Sequence, residues 1–243
     1  MVNARLSEPA HDTPDASTVE LFQREWQIYR KMVDNDYLFH RGAYGALRRF
    51  LVALNRRFAF LDLACGDASV SASILAGTQI SSYRGIDFSA TALELAEANI
   101  TPLGIPYALE RRDFVEAVSE MTEPVDIAWI GLSLHHLHVP EKGAFLARMR
   151  RLIMPSGAFL IYENASPDGE TRAEWMSRWD AQEPHWTAYS RDEWDTVTAH
   201  VHAADFPETD TIWHSLGRDA GFAHIRELFR APSDLFRLYC FQA

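Results

Sequence analysis

From Phe58 onward the apolar positions fall into a rhythm: a short hydrophobic run, a small or acidic residue, then a stretch with helical spacing. FAFLDL (58–63) carries Asp62 near its end, and CGDAS turns into the helix-like ASVSASILA. SYRGID (82–87) is a second strand candidate ending in Asp87, followed by Ser89 as the cap of a helix, SATALELAEANI. YALERRD (107–113) is a third, ending at Asp113. VDIAWIGL (125–132) is apolar throughout after Asp126, as expected for a strand covered on both faces. A helix over 141–153 stops at Met154-Pro155-Ser156-Gly157, and AFLIYE (158–163) makes the fifth strand. Strands alternating with helices predict βαβ units and an α/β, doubly wound, mostly parallel sheet.

The flanks read differently. Residues 1–17 are polar and predict a loose arm, with order beginning at Ser17-Thr18. Phe22, Trp26, Tyr29, Val33 and Tyr37 then form one helical stripe, and Tyr44, Leu47, Phe50, Leu51 and Leu54 a second. Both stripes read as core against the domain that follows; Tyr29, Tyr37, His40 and Arg41 could also form a lid over a site. Residues 164–206 break the rhythm and hold Trp175, Trp179, Trp186 and Trp194, four of the seven tryptophans. After a helix at 208–220, HIRELFR and LFRLYCF flank the turn APSD as an antiparallel hairpin, which brings the strands to seven. The expected layout is one domain: an arm (1–17), N-terminal helices (18–56), a core (57–163), a helical Trp-rich insert (164–206), and a last helix with the hairpin (207–243).

Charge and cysteines narrow the partners. The 243 residues carry 23 basic and 34 acidic side chains, a formal charge of -11, which repels nucleic acid and anionic lipid at long range. Cys65 and Cys240 are too few for a disulfide framework. With no apolar run resembling a secretory signal or a membrane span, the expectation is a cytoplasmic protein, monomeric or homodimeric, acting on a small molecule.

Ligands of doubly wound sheets sit beyond the carboxyl ends of the strands. Those ends carry Asp62 to Asp67, Asp87, Asp113 and Ser133-Leu134-His135-His136. The Cys65-Gly66-Asp67 turn, with Ala64 and Ala68 beside it, supplies the small residues a close backbone approach needs. Asp87 can accept both hydroxyls of a ribose and Asp113 a hydrogen bond from an adenine amino group, so together they describe an adenosine across the strand tips. A nicotinamide dinucleotide would need G-x-G-x-x-G where this chain has A-C-G-D-A-S, and Asp67 would lie against its pyrophosphate. The turn suits a ligand whose other half is cationic or zwitterionic.

Residues 58–163 resemble the core of the class I S-adenosylmethionine-dependent methyltransferases. FLDLACGDAS matches that family's acidic-x-Gly-x-Gly-x-Gly loop as Asp62-x-Ala64-x-Gly66-x-Ala68, with two glycines replaced by alanine. GIDFS matches the second motif with Asp87 and Phe88, RRDF the third with Asp113 and Phe114, and IGLSLHHL the fourth. RRLIMPSGAFLIYE resembles the segment entering the fifth strand, and the closing hairpin the family's reversed strand. The resemblance implies S-adenosylmethionine as cofactor, held by Asp62, Ala64, Cys65 and Gly66 at the methionyl end, Asp87 and Phe88 at the ribose, and Asp113 with Phe114 at the adenine. Ser133 and Arg41 are further candidates for the methionyl group.

The implied reaction is methyl transfer to a small-molecule nitrogen or oxygen. His135 and His136 are the candidate bases, or else they serve packing and loop geometry. Tyr29, Tyr37, Glu163, Trp179 and Trp186 are the candidate acceptor pocket, where aromatic rings beside Asp180, Glu183 and Glu193 could attract a cation or simply cover the sheet. His200-x-His202 with Asp205, or His136-x-His138, are open to metal ligation, but spacing fixes no third ligand and no metal is expected. Two other readings stay open: an enzyme that cyclises or cleaves the methionyl chain with release of methylthioadenosine, and a non-catalytic S-adenosylmethionine-binding protein.

Overall fold

A computed structural model describes residues 28–243. The expected arm at 1–17, the cap at Ser17-Thr18, and Phe22 and Trp26 lie outside the described residues. A helix occupies 28–34 at the start of the described chain (α1). It is followed by α2 (His40–Ala53), β1 (Phe58–Leu63), α3 (Ser69–Leu75), β2 (Ile80–Asp87), α4 (Ala90–Ile100), β3 (Tyr107–Arg111), α5 (Phe114–Glu120) and β4 (Val125–Gly131). Then come α6 (Val139–Leu152), β5 (Ile153–Ser166), α7 (Arg172–Asp180), α8 (Arg191–Ala204), β6 (Glu208–Thr209), α9 (Asp210–Asp219), β7 (His224–Arg230) and β8 (Phe236–Gln242).

The sheet runs β3-β2-β1-β4-β5-β8-β7, with two-residue β6 beside the end of β5. β3, β2, β1, β4 and β5 are parallel, and β8 lies antiparallel between β5 and β7. Strand order therefore reverses between β1 and β4, where a doubly wound sheet opens its crevice. The expected alternation and hairpin are both present. β1, β4 and β5 from Gly157 onward are almost wholly buried, as their largely apolar runs predict.

Three local differences have physical causes. The third strand stops at Arg111, because Asp113 caps α5: its Oδ1 accepts from the Val115 and Glu116 amides at 2.8 and 3.0 Å. Met154-Pro155-Ser156-Gly157 is not a free turn but an irregularity within β5, whose pairing jumps from Val125↔Ile153 to Ile127↔Ala158. The last helix begins at Asp210 rather than 208, since Glu208 and Thr209 pair with Ala165 and Ser166 as β6.

Two cores flank the sheet. On one side α2, α3 and the insert cover Phe60, Trp129, Leu160 and Leu238; on the other α5, α6 and α9 cover Leu61, Ile130, Phe159 and Tyr239. α9 approaches β8 closely because Gly217 has no side chain: a Cβ there would stand 2.5 Å from Phe241 Cε1 and 2.6 Å from Ile225 Cδ1. The fully buried Phe241 ring has little room to retreat in a packed interior. Gly217→Ala is expected to destabilise the fold by about 1–3 kcal/mol through overpacking, read as a lower urea midpoint at unchanged slope.

Candidate functional site

The loop after β1 builds the first half of the site. Ala64, Gly66 and Ala68 all take left-handed backbone angles, φ 53°, 55° and 52°. The two alanines hold a conformation that costs a side-chain-bearing residue about 1–2 kcal/mol, so the surroundings must enforce it. They do so through β2: the Cys65 amide donates to the Ile86 carbonyl at 3.0 Å and the Gly66 amide to Asp87 Oδ2 at 2.9 Å. Asp87 Oδ1 accepts from the Ser89 amide at 2.8 Å, fixing the carboxylate between loop and helix α4. Each oxygen keeps a lone pair for a ligand. A Cβ on Gly66 would meet only open space, so this face of the loop is free for a ligand.

Asp62 lies beneath the loop, buried, and accepts from the Tyr83 hydroxyl at 2.7 Å. Burial pushes its carboxyl up to about 7, and the charge of Asp87 adds to the rise, against hydrogen bonds from Ser71 and Tyr83. A small cavity of about 70 Å³ touches Asp62, Ala64, Cys65, Gly66 and Gly131. A larger one of about 320 Å³ opens beside it, between α1 and the Asp67–Asn99 side. Tyr29 lines both.

The remaining residues proposed for an adenosine spread outward. Phe88 is 76% exposed at the end of β2. Asp113 is exposed and capping, and Phe114 packs edge-on against Phe145 at 5.5 Å. Arg41 is turned elsewhere: its guanidinium donates to the Asp34 carbonyl and its amide to Asp36, which closes the α1–α2 turn.

The second half of the site stands on the tip of β4. Leu132 takes φ 52° and donates its amide to the Tyr162 carbonyl, and the chain then makes a single 3₁₀ turn, Leu134–His136. Glu163 of β5 organises this turn. Its Oε1 accepts from the Ser133 and Leu134 amides at 2.9 and 2.7 Å, and its Oε2 from the His135 amide at 3.1 Å and lies 2.9 Å from His135 Nδ1. Glu163 is 0% exposed, so it stands behind the pocket wall rather than in it. Ser133 serves the same turn, its hydroxyl donating to Gly131. Burial alone would neutralise Glu163, but His135 and the amides outweigh it and hold the carboxyl below its usual range. For His135 the balance runs likewise: burial opposes its charge, and Glu163 with Asp205 raises its pKa nonetheless. His136 is shifted down, by burial and then by the neighbouring His135.

A cleft of about 400 Å³ opens in front of these rings, lined by Tyr29, Leu132, His135, His136, Trp179 and His200 among others. The His200 ring centre is 5.4 Å from that of His136. Asp205, at the end of α8, also reaches this cleft; the sequence had grouped it with His200 and His202. His202 instead pairs with Asp180 at 2.8 Å, and His138 takes the N-terminal cap position of α6. Asn164, which sequence reading passed over, holds Asp205 Oδ2 at 2.7 Å.

The insert forms the roof. Trp179 stacks between Trp175 and Trp194, each at 6.0 Å, and Trp186 stacks on Tyr37 at 4.6 Å. Trp179 lines the cleft, whereas Trp186 and Tyr37 tie the insert to the N-terminal turn, where the Tyr37 hydroxyl accepts from the Ala188 amide. The acidic residues expected to face a cation are paired within the protein: Asp180 with His202, Glu183 with Arg191, Glu193 with Lys31.

Residues 60–157 match the model of a family described as a methyltransferase domain. No curated protein sequence matches the chain significantly. Among solved structures, an O-methyltransferase family protein from Burkholderia thailandensis superposes with a TM-score of 0.63 at 18% identity, over 87% of this chain and 59% of its own. For the mitomycin 7-O-methyltransferase MmcR the values are 0.57, 14%, 90% and 60%. For the S-adenosylmethionine-dependent methyltransferase SibL they are 0.58, 14%, 85% and 56%. The chain thus spans less than two thirds of the length of each of these three. At such identities the likeness is one of fold.

The Glu163 network makes a prediction independent of any ligand. Glu163→Gln keeps the shape but replaces one accepting oxygen with a donor facing amides. It is expected to cost about 3 kcal/mol of unfolding free energy, the scale for breaking a buried charged network, measured by urea denaturation.

Proposed function

We propose that the chain, whose residues 60–157 match the methyltransferase-domain family model, is a class I S-adenosylmethionine-dependent methyltransferase. From that premise we propose that it methylates a hydroxyl or amine of a small molecule bound in the cleft between α1, the 3₁₀ turn and the Trp-rich insert. One observation carries the reading: Tyr29 lines both the cavities at the β1 loop and the cleft that holds His135 and His136. A cofactor seated on the loop would therefore face an acceptor seated in the cleft.

The residues at the loop fit S-adenosylmethionine. The open face of Gly66 leaves space for its methionyl end, and the carboxylates of Asp62, Asp67 and Asp87 suit a ligand bearing an ammonium and a sulfonium. When bound, it supplies an electrophilic methyl group, whose carbon–sulfur electrons return to sulfur as the acceptor's lone pair forms the new bond. The chain does the rest. Walls from Tyr29, Leu132 and Trp179 exclude water and align the acceptor, and alignment alone can contribute about 7–11 kcal/mol. His136 and His200 face the cleft and are placed to take the acceptor's proton, while Glu163 keeps the neighbouring His135 oriented. The mainly apolar lining favours an aromatic or otherwise flat acceptor over a highly charged one.

The test is the fate of methyl-labelled S-adenosylmethionine incubated with the protein and a metabolite extract. Label in a new metabolite, with S-adenosylhomocysteine released, is the expected result; label retained in methylthioadenosine overturns it. His136→Ala is expected to lower turnover by about 10²–10⁴-fold while leaving S-adenosylmethionine affinity unchanged.

The raised Asp62 adds a pH dependence. Below about 7 this carboxyl holds a proton in the empty site, and a cationic ligand can gain its charge only by displacing that proton. Affinity for S-adenosylmethionine is expected to fall up to about tenfold per pH unit below 7 and to level off above it. Calorimetry in two buffers of different ionisation enthalpy reads the released proton, and Asp62→Asn removes both effects.

A further inference from the structure

We propose that His135, His136 and Asp205 form a binding site for a divalent first-row transition cation, open toward the cleft. One ligand atom from each of the three residues lies within 4.8 Å of the other two. Asp205 Oδ1 is 3.7 Å from both His135 Nε2 and His136 Nδ1. Bonds of about 2.1 Å at tetrahedral angles put ligand atoms about 3.4 Å apart, so a small inward turn of side chains completes the set.

Two further features distinguish this from a chance meeting of polar groups. Asp205 is 4% exposed and its Oδ1 has no hydrogen-bond partner, a costly state for a buried carboxylate oxygen. It points at the two imidazoles while its other oxygen is fixed by Asn164 at 2.7 Å. On the opposite side Glu163 Oε2 holds His135 Nδ1, leaving Nε2 directed at Asp205. A carboxylate behind a ligating histidine is the outer-shell arrangement that orients such ligands and raises their basicity. His136 Nδ1 stands 3.2 Å from the Ala204 carbonyl and exchanges that contact for the cation. Two imidazoles and one carboxylate suit zinc, cobalt or manganese better than calcium or magnesium, whose ligands are oxygens.

Three protein ligands leave a position free on the cleft side, where His136 and His200 are exposed. On the methyl-transfer reading, to which this role is tied, that position takes the acceptor's oxygen. With the cation bound, His136 would serve as its ligand and His200 alone as base: the cation would lower the pKa of the hydroxyl, whose proton leaves to His200, and the oxygen's lone pair would be free for alkylation. No oxidation or reduction is involved.

The experiment titrates chelator-treated full-length protein with cobalt(II), following d–d absorption, and with zinc(II) by calorimetry, in the absence of any acceptor. Wild type is expected to show one saturable site, His136→Ala to bind at least about 10-fold more weakly, and His202→Ala to bind as wild type does. His136 is half exposed, and unchanged thermal unfolding with unchanged S-adenosylmethionine binding shows that its replacement leaves the fold intact. Absence of a saturable site in wild type, or equal affinity in His136→Ala, overturns the proposal. Cobalt binding is read without turnover, so it stands whether or not methyl transfer occurs. Full methyl transfer by metal-stripped protein would remove the cation's role toward the acceptor.

Discussion

Glu163 decides where the tips of the two central strands can lie. A carboxylate without access to water costs several kcal/mol unless its lone pairs are filled. Here three amides of the turn after β4 and the His135 ring fill them. That requirement draws the chain leaving β4 sharply across the end of β5, with Leu132 accepting a left-handed conformation to make the bend. It also fixes the tautomer-bearing side of His135, so that the other ring nitrogen must face the cleft. The charge opposite Glu163 on β8, Arg237, does not compete, because it is engaged by Asp234 and Asp210.

The same tip is clamped from the far side by the segment leaving α8. The Phe206 amide donates to the His135 carbonyl at 2.8 Å, and buried Lys142 reaches both the Phe206 carbonyl and Glu208. Arg172 donates to the carbonyls of His202 and Asp205, satisfying the end of α8 with a cation where the helix dipole favours one. Asp205 is thus delivered into the cleft by backbone contacts, with its charge facing the two histidines. The fold therefore leaves its Oδ1 without a hydrogen bond, 3.7 Å from each imidazole. An oxygen placed at such a cost fits a ligand that supplies the missing charge.

Legibility in the sequence tracks the range of the interactions. The strands were readable because parallel strands buried on both faces are short apolar runs, and their carboxyl ends were marked by Asp62 and Asp87. α5 was missed because FVEAVSE is a short helix whose cap, Asp113, looked like the end of a strand. Glu163 was assigned to the pocket from its place at a strand end, but in a strand the side chain's face is set by register, and this one looks into the turn after β4. The joining of Asp205 to His135 and His136 crosses some 70 residues and depends on β6, a two-residue strand with no sequence signature. The tryptophans announced an apolar insert without saying which ring faces a ligand; only Trp179 does so among the four in the described residues.

The two halves of the site differ in how they are built. The β1 loop is held by hydrogen bonds to a neighbouring strand, which fixes its backbone positions. The cleft is roofed by stacked rings and by contacts between α1 and the insert: Lys31 with Glu193, and the Tyr189 hydroxyl with the Ile28 carbonyl. A single half-buried ion pair contributes little, so this roof rests mainly on ring stacking, which is broad in geometry and tolerant of sliding. α1 carries Tyr29 over both cavities, and any displacement of the roof changes the boundary of each at once.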